Sequence, residues 1–385
     1  MEDSHKHVAI VGGGVAGLTA ATALADRGID VTLIERSRRL GGHAAEWACM
    51  ATDECARCSA CLVQDLIRRS LSHPHIEVLA NAQVAQVDID AAGRTLALEP
   101  VADEAQSEDD AAAPGLDAPR QLRAAATILA TGFSVYDPSA DLLLGYGRFD
   151  QVRTIRELDH ALAQDDLEAF LPSAIEKPRL AFIQCVGSRD RQQGREYCSQ
   201  FCCRATIRLV NRLLHLRPAT EVTVFYIDLQ IMSKEFETFY RQARDRVEFI
   251  QGVPAEVCYG TEELADKAVV HAIRQGAEKA EAFAFDRIVL ATGLAPGAAQ
   301  GELAERFGLA QNEFGFLAHS PDGATMTEQP GLFMAGACAG PTDIQGSCRT
   351  GLAAAAMAAG HLYRDEAERG PSQRTESSQR TAAGA

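Results

Sequence analysis

The chain has 385 residues, 46% of them apolar, enough to bury cores in two to three domains of about 150 residues each. Its 53 acidic against 37 basic side chains leave a formal charge of −16, which disfavours nucleic acid and anionic membranes as partners because like charges repel. No stretch reaches the ~18 uninterrupted apolar residues of a membrane span, and the Ala-rich run at 351–359 reads as a packed helix.

After Met1-Glu2-Asp3-Ser4 the first strand follows almost at once, without a signal-peptide pattern, so the cytoplasm is the expected compartment. There, cysteines serve metals and redox chemistry more often than disulfides.

The apolar run His7–Val11 ends in Gly12-Gly13-Gly14-Val15-Ala16-Gly17. Leu18–Arg27 has helical spacing, Gly28 stops it, and Val31–Glu35 forms a second strand. This is a complete βαβ opening. Gly12-x-Gly14-x-x-Gly17, placed between strand and helix, is a dinucleotide fingerprint. Gly12 permits the tight turn, Gly14 lets the backbone approach a pyrophosphate, and Gly17 lets helix and strand pack closely. The helix start offers free N–H groups and a positive dipole end to phosphates. Glu35, ending the second strand, is placed to accept ribose hydroxyl hydrogen bonds.

Residues 76–100, which include Val84, alternate like strands; 101–120 is acidic, with Ala and Pro, and reads as a mobile loop. Thr127–Ala130 is a strand closing on Thr131-Gly132, and 151–176 looks helical. Leu180–Ile183, a helix from about Ser199 to Leu216, and Glu221–Ile227 make a second βαβ unit. A strand at 286–290 runs into Ala291-Thr292-Gly293, which echoes Ala130-Thr131-Gly132. Leu332–Ala335 is one more strand, with the helix Gly346–Leu362 behind it. The expected fold is α/β, with two Rossmann-like, three-layer dinucleotide-binding domains of the thioredoxin/glutathione-reductase type. The first would comprise 1–150 and 286–364, the second 151–285, and 365–385 a disordered tail.

Eight of eleven cysteines form two clusters. Cys185, Cys198, Cys202 and Cys203 lie at a strand end and the start of the next helix, where Cys198 and Cys202 share a face if that turn is helical. Four thiolates there suit a [4Fe–4S] cluster; a tetrahedral zinc site and buried structural cysteines are the alternatives. Cys49, Cys55, Cys58 and Cys61 include a Cys-x2-Cys-x2-Cys run close to ferredoxin spacing. A second cluster, a dithiol beside a flavin, or a zinc or structural role remain open for them. Cys258, Cys338 and Cys348 stand apart and read as small core residues, and His43 reads as a surface-loop residue.

Two resemblances sharpen this reading. Glu35-Arg36-Ser37-Arg38-Arg39-Leu40-Gly41-Gly42, Ala130-Thr131-Gly132 and Gly331-Leu332-Phe333-Met334-Ala335-Gly336 resemble signatures of glutathione- and thioredoxin-reductase-type flavoproteins, which implies FAD. That family's last turn ends Gly-Asp, its Asp holding the ribityl chain; Ala337 stands here instead, and Asp343 is the candidate substitute. The helix near Ile344 would aim its N-terminus at the flavin. Candidate cofactor contacts are Gly12, Gly14, Val15, Ala16, Glu35, Arg36, Gly41, Gly42, Val84, Ala130, Thr131, Gly132, Gly336, Asp343 and Ile344. The second βαβ turn, Gln184-Cys185-Val186-Gly187-Ser188-Arg189-Asp190, has one glycine where that family has three, so nicotinamide binding is expected to be lost.

That turn, with Tyr197-Cys198-Ser199, Cys202-Cys203, Gly340-Pro341-x-Asp343-Ile344 and Gly145-Tyr146-Gly147, resembles the A-type component of heterodisulfide reductase (HdrA) over most of residues 7–362. The resemblance implies a [4Fe–4S] cluster on Cys185, Cys198, Cys202 and Cys203. It also implies a homodimer and partner subunits of the B and C types (HdrB- and HdrC-like). The chain looks like the compact form found in heterodisulfide-reductase-like complexes of sulfur-oxidising bacteria. The runner-up is a free-standing NAD(P)H-dependent disulfide reductase using thiols of the Cys49–Cys61 region; a third reading is a zinc-bearing scaffold protein with a vestigial flavin fold.

Overall fold

The computed structural model describes residues 7–47, 49–53, 55, 59–90, 93–101, 113–230, 234–261, 264 and 266–368. Two five-stranded parallel sheets organise it. The first runs Leu332–Met334, Ala126–Leu129, His7–Val11, Asp30–Ile34, Ile76–Leu79. The second runs Val247–Gln251, Glu221–Tyr226, Arg179–Val186, Arg287–Thr292, Val152–Thr154. Their central strands are unbroken apolar runs, as buried parallel strands require.

The helix Val15–Ala25 is buried along its whole length, which its Ala, Thr, Leu and Val content permits. It lies between the first sheet and the last helix, Ile344–Glu368, whose Ala354, Ala355 and Ala358 complete that core. The last helix runs past the tail boundary expected at 365, and residues 369–385 lie outside those described. Among the described residues no helix is long and apolar enough to cross a membrane.

Each parallel sheet carries a three-stranded antiparallel meander. Ala82–Asp90, Gly93–Pro100 and Arg120–Ala124 form one; Pro254–Tyr259, Ala268–Ala272 and Glu281–Phe285 form the other. Residues 102–112 of the expected acidic loop fall outside the described set, but its end is anchored: Leu116 N–H donates to Ala80 O at 2.9 Å, and Arg120 begins a strand. The span 151–176 is not one helix. Val152–Thr154 is an edge strand, and Thr154 caps the helix Ile155–Ala163 through a reciprocal box with Glu157.

The domain boundary expected at 286 falls later in the chain. The strand at 287–292, assigned by sequence to the first domain with the rest of 286–364, pairs in the second sheet between Arg179–Val186 and Val152–Thr154. The chain returns to the first unit only afterwards. The outward and return passages, Phe133–Val135 and Leu294–Pro296, pair with each other antiparallel.

Candidate functional site

The glycine turn is built as the fingerprint demands. Gly12 has φ +109°, and a Cβ there would lie 2.3 Å from Ala130 O; a Cβ on Gly17 would lie 1.9 Å from Gly12 O. Gly14 differs: nothing lies within 4 Å of a Cβ placed on it, because it faces a cavity of about 1100 Å³. That volume sits at the upper end of the ~300–1,000 Å³ of small-molecule sites and suits an extended dinucleotide. The Glu35 carboxylate at one end accepts from Gly13 N–H at 2.6 Å and from Ser37 N–H at 2.8 Å.

Of the candidate contacts, Gly12, Gly14, Val15, Ala16, Glu35, Gly41, Gly42, Ala130, Thr131, Gly132, Gly336, Asp343 and Ile344 line this one cavity. Arg36 and Val84 do not: Arg36 is exposed, and Val84 is packed against Leu96 and Leu98 in the core. His43 is not a surface residue as read from sequence. It lines the cavity with Phe133, its Nε2 lying 3.0 Å from Phe133 O and the two rings 4.7 Å apart. Asp343 is engaged at the start of the last helix: Gly346 N–H donates to Oδ1 at 2.7 Å, and Oδ2 pairs with Arg204.

The opposite wall comes from the second unit. The helix Cys202–Leu216 presents Arg204, Ala205 and Arg208 to the cavity, with Phe201 just before it. Arg204, Arg208 and Arg212 recur every four residues and so form one stripe. Arg204 pairs with Asp343; Arg208 pairs with Asp159 and lies 5.2 Å from the Trp47 ring centre; Arg212 donates to Ala51 O at 3.1 Å. Sequence reasoning missed these arginines, although their four-residue spacing was a usable signal.

The side chains of Arg208 and Asp159 are only 1% and 8% exposed. Removing one partner of such a pair leaves a buried charge uncompensated. Asp159→Ala is therefore expected to cost about 3–5 kcal/mol in urea unfolding, and the double change Asp159→Leu/Arg208→Met to recover most of it.

The four thiols gather at the foot of this helix. The ladder of Arg179–Val186 with Arg287–Thr292 slips between Ile183 and Val186, and within that irregularity Cys185 takes φ +62°. A left-handed non-glycine residue costs roughly 1–2 kcal/mol. Arg189 and Gln200 in the following loop are left-handed too. Cys202 and Cys203 open the helix and are buried; Cys185 and Cys198 are half-buried.

Cys202, hydrogen-bonded to Cys185 and Cys203 and buried, has its thiol pKa pushed well up. Cys185 and Cys203 are pulled down by the same hydrogen bonds, against the effect of burial. Burial raises Cys198, whose Sγ accepts from Gln200 N–H at 3.4 Å. Among the described residues no three His, Cys, Asp or Glu side chains meet the geometry for holding a single metal ion.

The second βα connection departs from a nucleotide-binding turn. In the first unit the helix follows Gly14 directly, whereas in the second a loop separates Val186 from Cys202. That loop is tied down by Asp190–Arg195 backbone pairing, by Arg189 N–H to Tyr197 O at 2.9 Å, and by Leu294 N–H to Ser199 Oγ at 3.0 Å.

Of the other cluster, Cys58 lies outside the described residues, and Cys49, Cys55 and Cys61 are exposed. Their segment is still tied to the cavity. Trp47 lines it, Met50 is buried in the second unit's core, and Cys61 lies in the first turn of the helix Ala60–Ser72, whose Gln64 and Ile67 reach the cavity. Cys338 is fully buried, and Cys258 and Cys348 are half-buried.

Comparison with known proteins agrees with this geometry. Residues 10–58 match the model of an NAD(P)-binding Rossmann-like domain. In fold the chain is similar to thioredoxin reductase of Lactococcus lactis (TM-score 0.57, 18% identity, 93% of this chain and 99% of that one). It is similar likewise to thioredoxin reductase of T. acidophilum (TM-score 0.55, 15% identity, 94% and 99%). Fold and site together define the class, a flavin-type oxidoreductase with two dinucleotide-binding-type units.

In sequence the chain is 35% identical over 259 residues to the A-type component of the H(2):CoB-CoM heterodisulfide,ferredoxin reductase of Methanothermobacter thermautotrophicus, covering 64% of this chain and 38% of the relative. It is 29% identical over 431 residues to the corresponding component in Methanothermobacter marburgensis, covering 93% and 64%. The chain belongs to the HdrA family, the A-type components of heterodisulfide reductases. It spans between 38% and 64% of the length of these two relatives.

Proposed function

We propose that the chain is a FAD- and [4Fe–4S]-containing electron-transfer subunit of a heterodisulfide-reductase-like complex, working in cytoplasmic sulfur oxidation. One observation carries the reading. On the helix Cys202–Leu216, two of four gathered thiols are followed immediately by Arg204 and Ala205, which line the dinucleotide cavity. A redox group on those thiols would stand within about one helical turn of a flavin in that cavity.

The residues fit both groups. For FAD, Glu35 and the open face of Gly14 would hold the adenosine diphosphate half, and Phe133, His43 and the start of the last helix would flank the ring. For the cluster, the support is the chemistry of the set: four cysteines, an N–H donor on Cys198, and a cysteine kept at a left-handed position where glycine would be relaxed. A cubane spreads its four sulfurs more widely than one tetrahedral ion does, which accords with thiols gathered but not closed on a single-ion site. The flavin, when bound, exchanges electrons in pairs, and an iron–sulfur cluster passes them singly.

The proposal extends to the wider arrangement. The first sheet and its meander would form the flavin unit, and the second sheet the cluster-bearing unit. The chain would act as a homodimer with B- and C-type partners, as the names of its relatives as components of larger reductases suggest. Cys49, Cys55, Cys58 and Cys61 are candidate ligands for a second cluster.

Anaerobic purification with iron, sulfide and flavin counts is the test. About one FAD with about four irons per chain is expected, or about eight irons if the second cysteine set is loaded. FAD without iron or acid-labile sulfide, even after reconstitution, overturns the cluster. Rapid bleaching of the flavin by NADH would instead favour a nicotinamide-dependent disulfide reductase.

A further inference from the structure

The last helix begins beside the cavity with an acidic residue. A carboxylate at this place opposes the one service a helix N-terminus offers a redox ring, a positive end facing added negative charge. Asp343 is nevertheless held there, its Oδ1 capping Gly346 N–H at 2.7 Å. The cation that answers it comes from the other unit. Arg204, two residues after Cys202, pairs with Asp343 Oδ2, and both side chains are largely buried at 15% and 17% exposure. Both residues line the cavity. Glu35 and the glycine turn mark the adenosine end of that cavity, so Arg204 and Asp343 face the end left for the ring.

We propose that Arg204 and Asp343 form an opposed-charge pair that sets the reduction potential of the bound flavin, Arg204 favouring the reduced ring and Asp343 disfavouring it. The inference rests on the FAD reading above and adds two positioning residues to it. Reduction places negative charge on the ring, and in a site screened from water a nearby guanidinium stabilises that charge while a nearby carboxylate opposes it. With both present the helix end keeps its positive character. With one removed, the other acts alone. The two halves of the pair therefore push in opposite directions, which loss of packing would not do.

The test is a spectroelectrochemical titration of the flavin in the full chain, following its visible absorbance. Arg204→Met is expected to lower the two-electron midpoint and Asp343→Asn to raise it. Each should change the ratio of reduced to oxidised FAD affinity by at least tenfold, about 30 mV for a two-electron couple. Arg204→Lys should restore most of the wild-type value, and the asparagine can still accept from Gly346 N–H. Shifts of the same sign, or no shift, in variants that hold FAD overturn the pair. If Arg204→Met fails to fold, the sign of the Asp343→Asn shift decides. Wild-type protein without bound FAD removes the reading beneath it, a distinct result visible before any titration.

Discussion

Gly14→Leu is expected to give a folded protein that has lost its flavin. Gly14 has φ −77°, an ordinary value for any residue, and no protein atom lies within 4 Å of the added Cβ. A leucine there meets no steric clash with the fold, but its side chain enters the space the glycine turn leaves for a pyrophosphate. FAD affinity should fall at least 100-fold, about 2.8 kcal/mol, with the thermal midpoint of the flavin-free protein little changed. Gly12→Ala should behave in the opposite order. Its Cβ would meet Ala130 O at 2.3 Å at a φ of +109°, so the fold itself is destabilised. Equilibrium dialysis with FAD and thermal melts of the two variants separate these cases. Unchanged flavin content in Gly14→Leu would mean that the cavity holds something else.

Cys202→Ala is expected to abolish iron binding at the second unit while sparing the flavin. Cys202 is 1% exposed and hydrogen-bonds two of the other three thiols, so a replacement cannot be supplied by solvent or by a neighbouring side chain. The iron held by this set should fall from about four to less than one per chain. Flavin content should hold, because Cys202 does not line the cavity. Cys258→Ala, on a strand of the second meander, is the control that should keep its iron. Loss of flavin and iron together in Cys202→Ala, with the fold intact, would show that the two sites are not separable.

Much of the first unit was legible in the sequence because its signals are local. Strand, glycine turn, helix and acidic strand end fall within residues 7–35, and each residue type answers a steric need next to it. The thiol set was legible as four cysteines near one turn. What sequence could not give was pairing between distant segments. The strand at 287–292 was recognised, but not its neighbour, because nothing in an apolar run names the strand beside it. The second meander and the helix Ala60–Ser72 went unread. The meander strands 254–259 and 281–285 are short and half-exposed, and the helix follows directly on the cysteine run, whose spacing masks its periodicity. Arg204 and Arg208 were missed for a different reason: arginines on an amphipathic helix are ordinarily its wet face. Their partners, Asp343 and Asp159, lie 139 and 49 residues away in the chain, and only the fold brings them together.

The arginine-bearing helix also limits how the molecule can move. Swivelling one unit against the other would have to part Arg204 from Asp343, Arg156 from Glu46 and Arg212 from Ala51, and withdraw Met50 from a foreign core. Such a pivot would also open the cavity wall to solvent. Built this way, the protein behaves as a fixed conduit rather than a swinging arm: current can pass along it without any piece of the chain travelling.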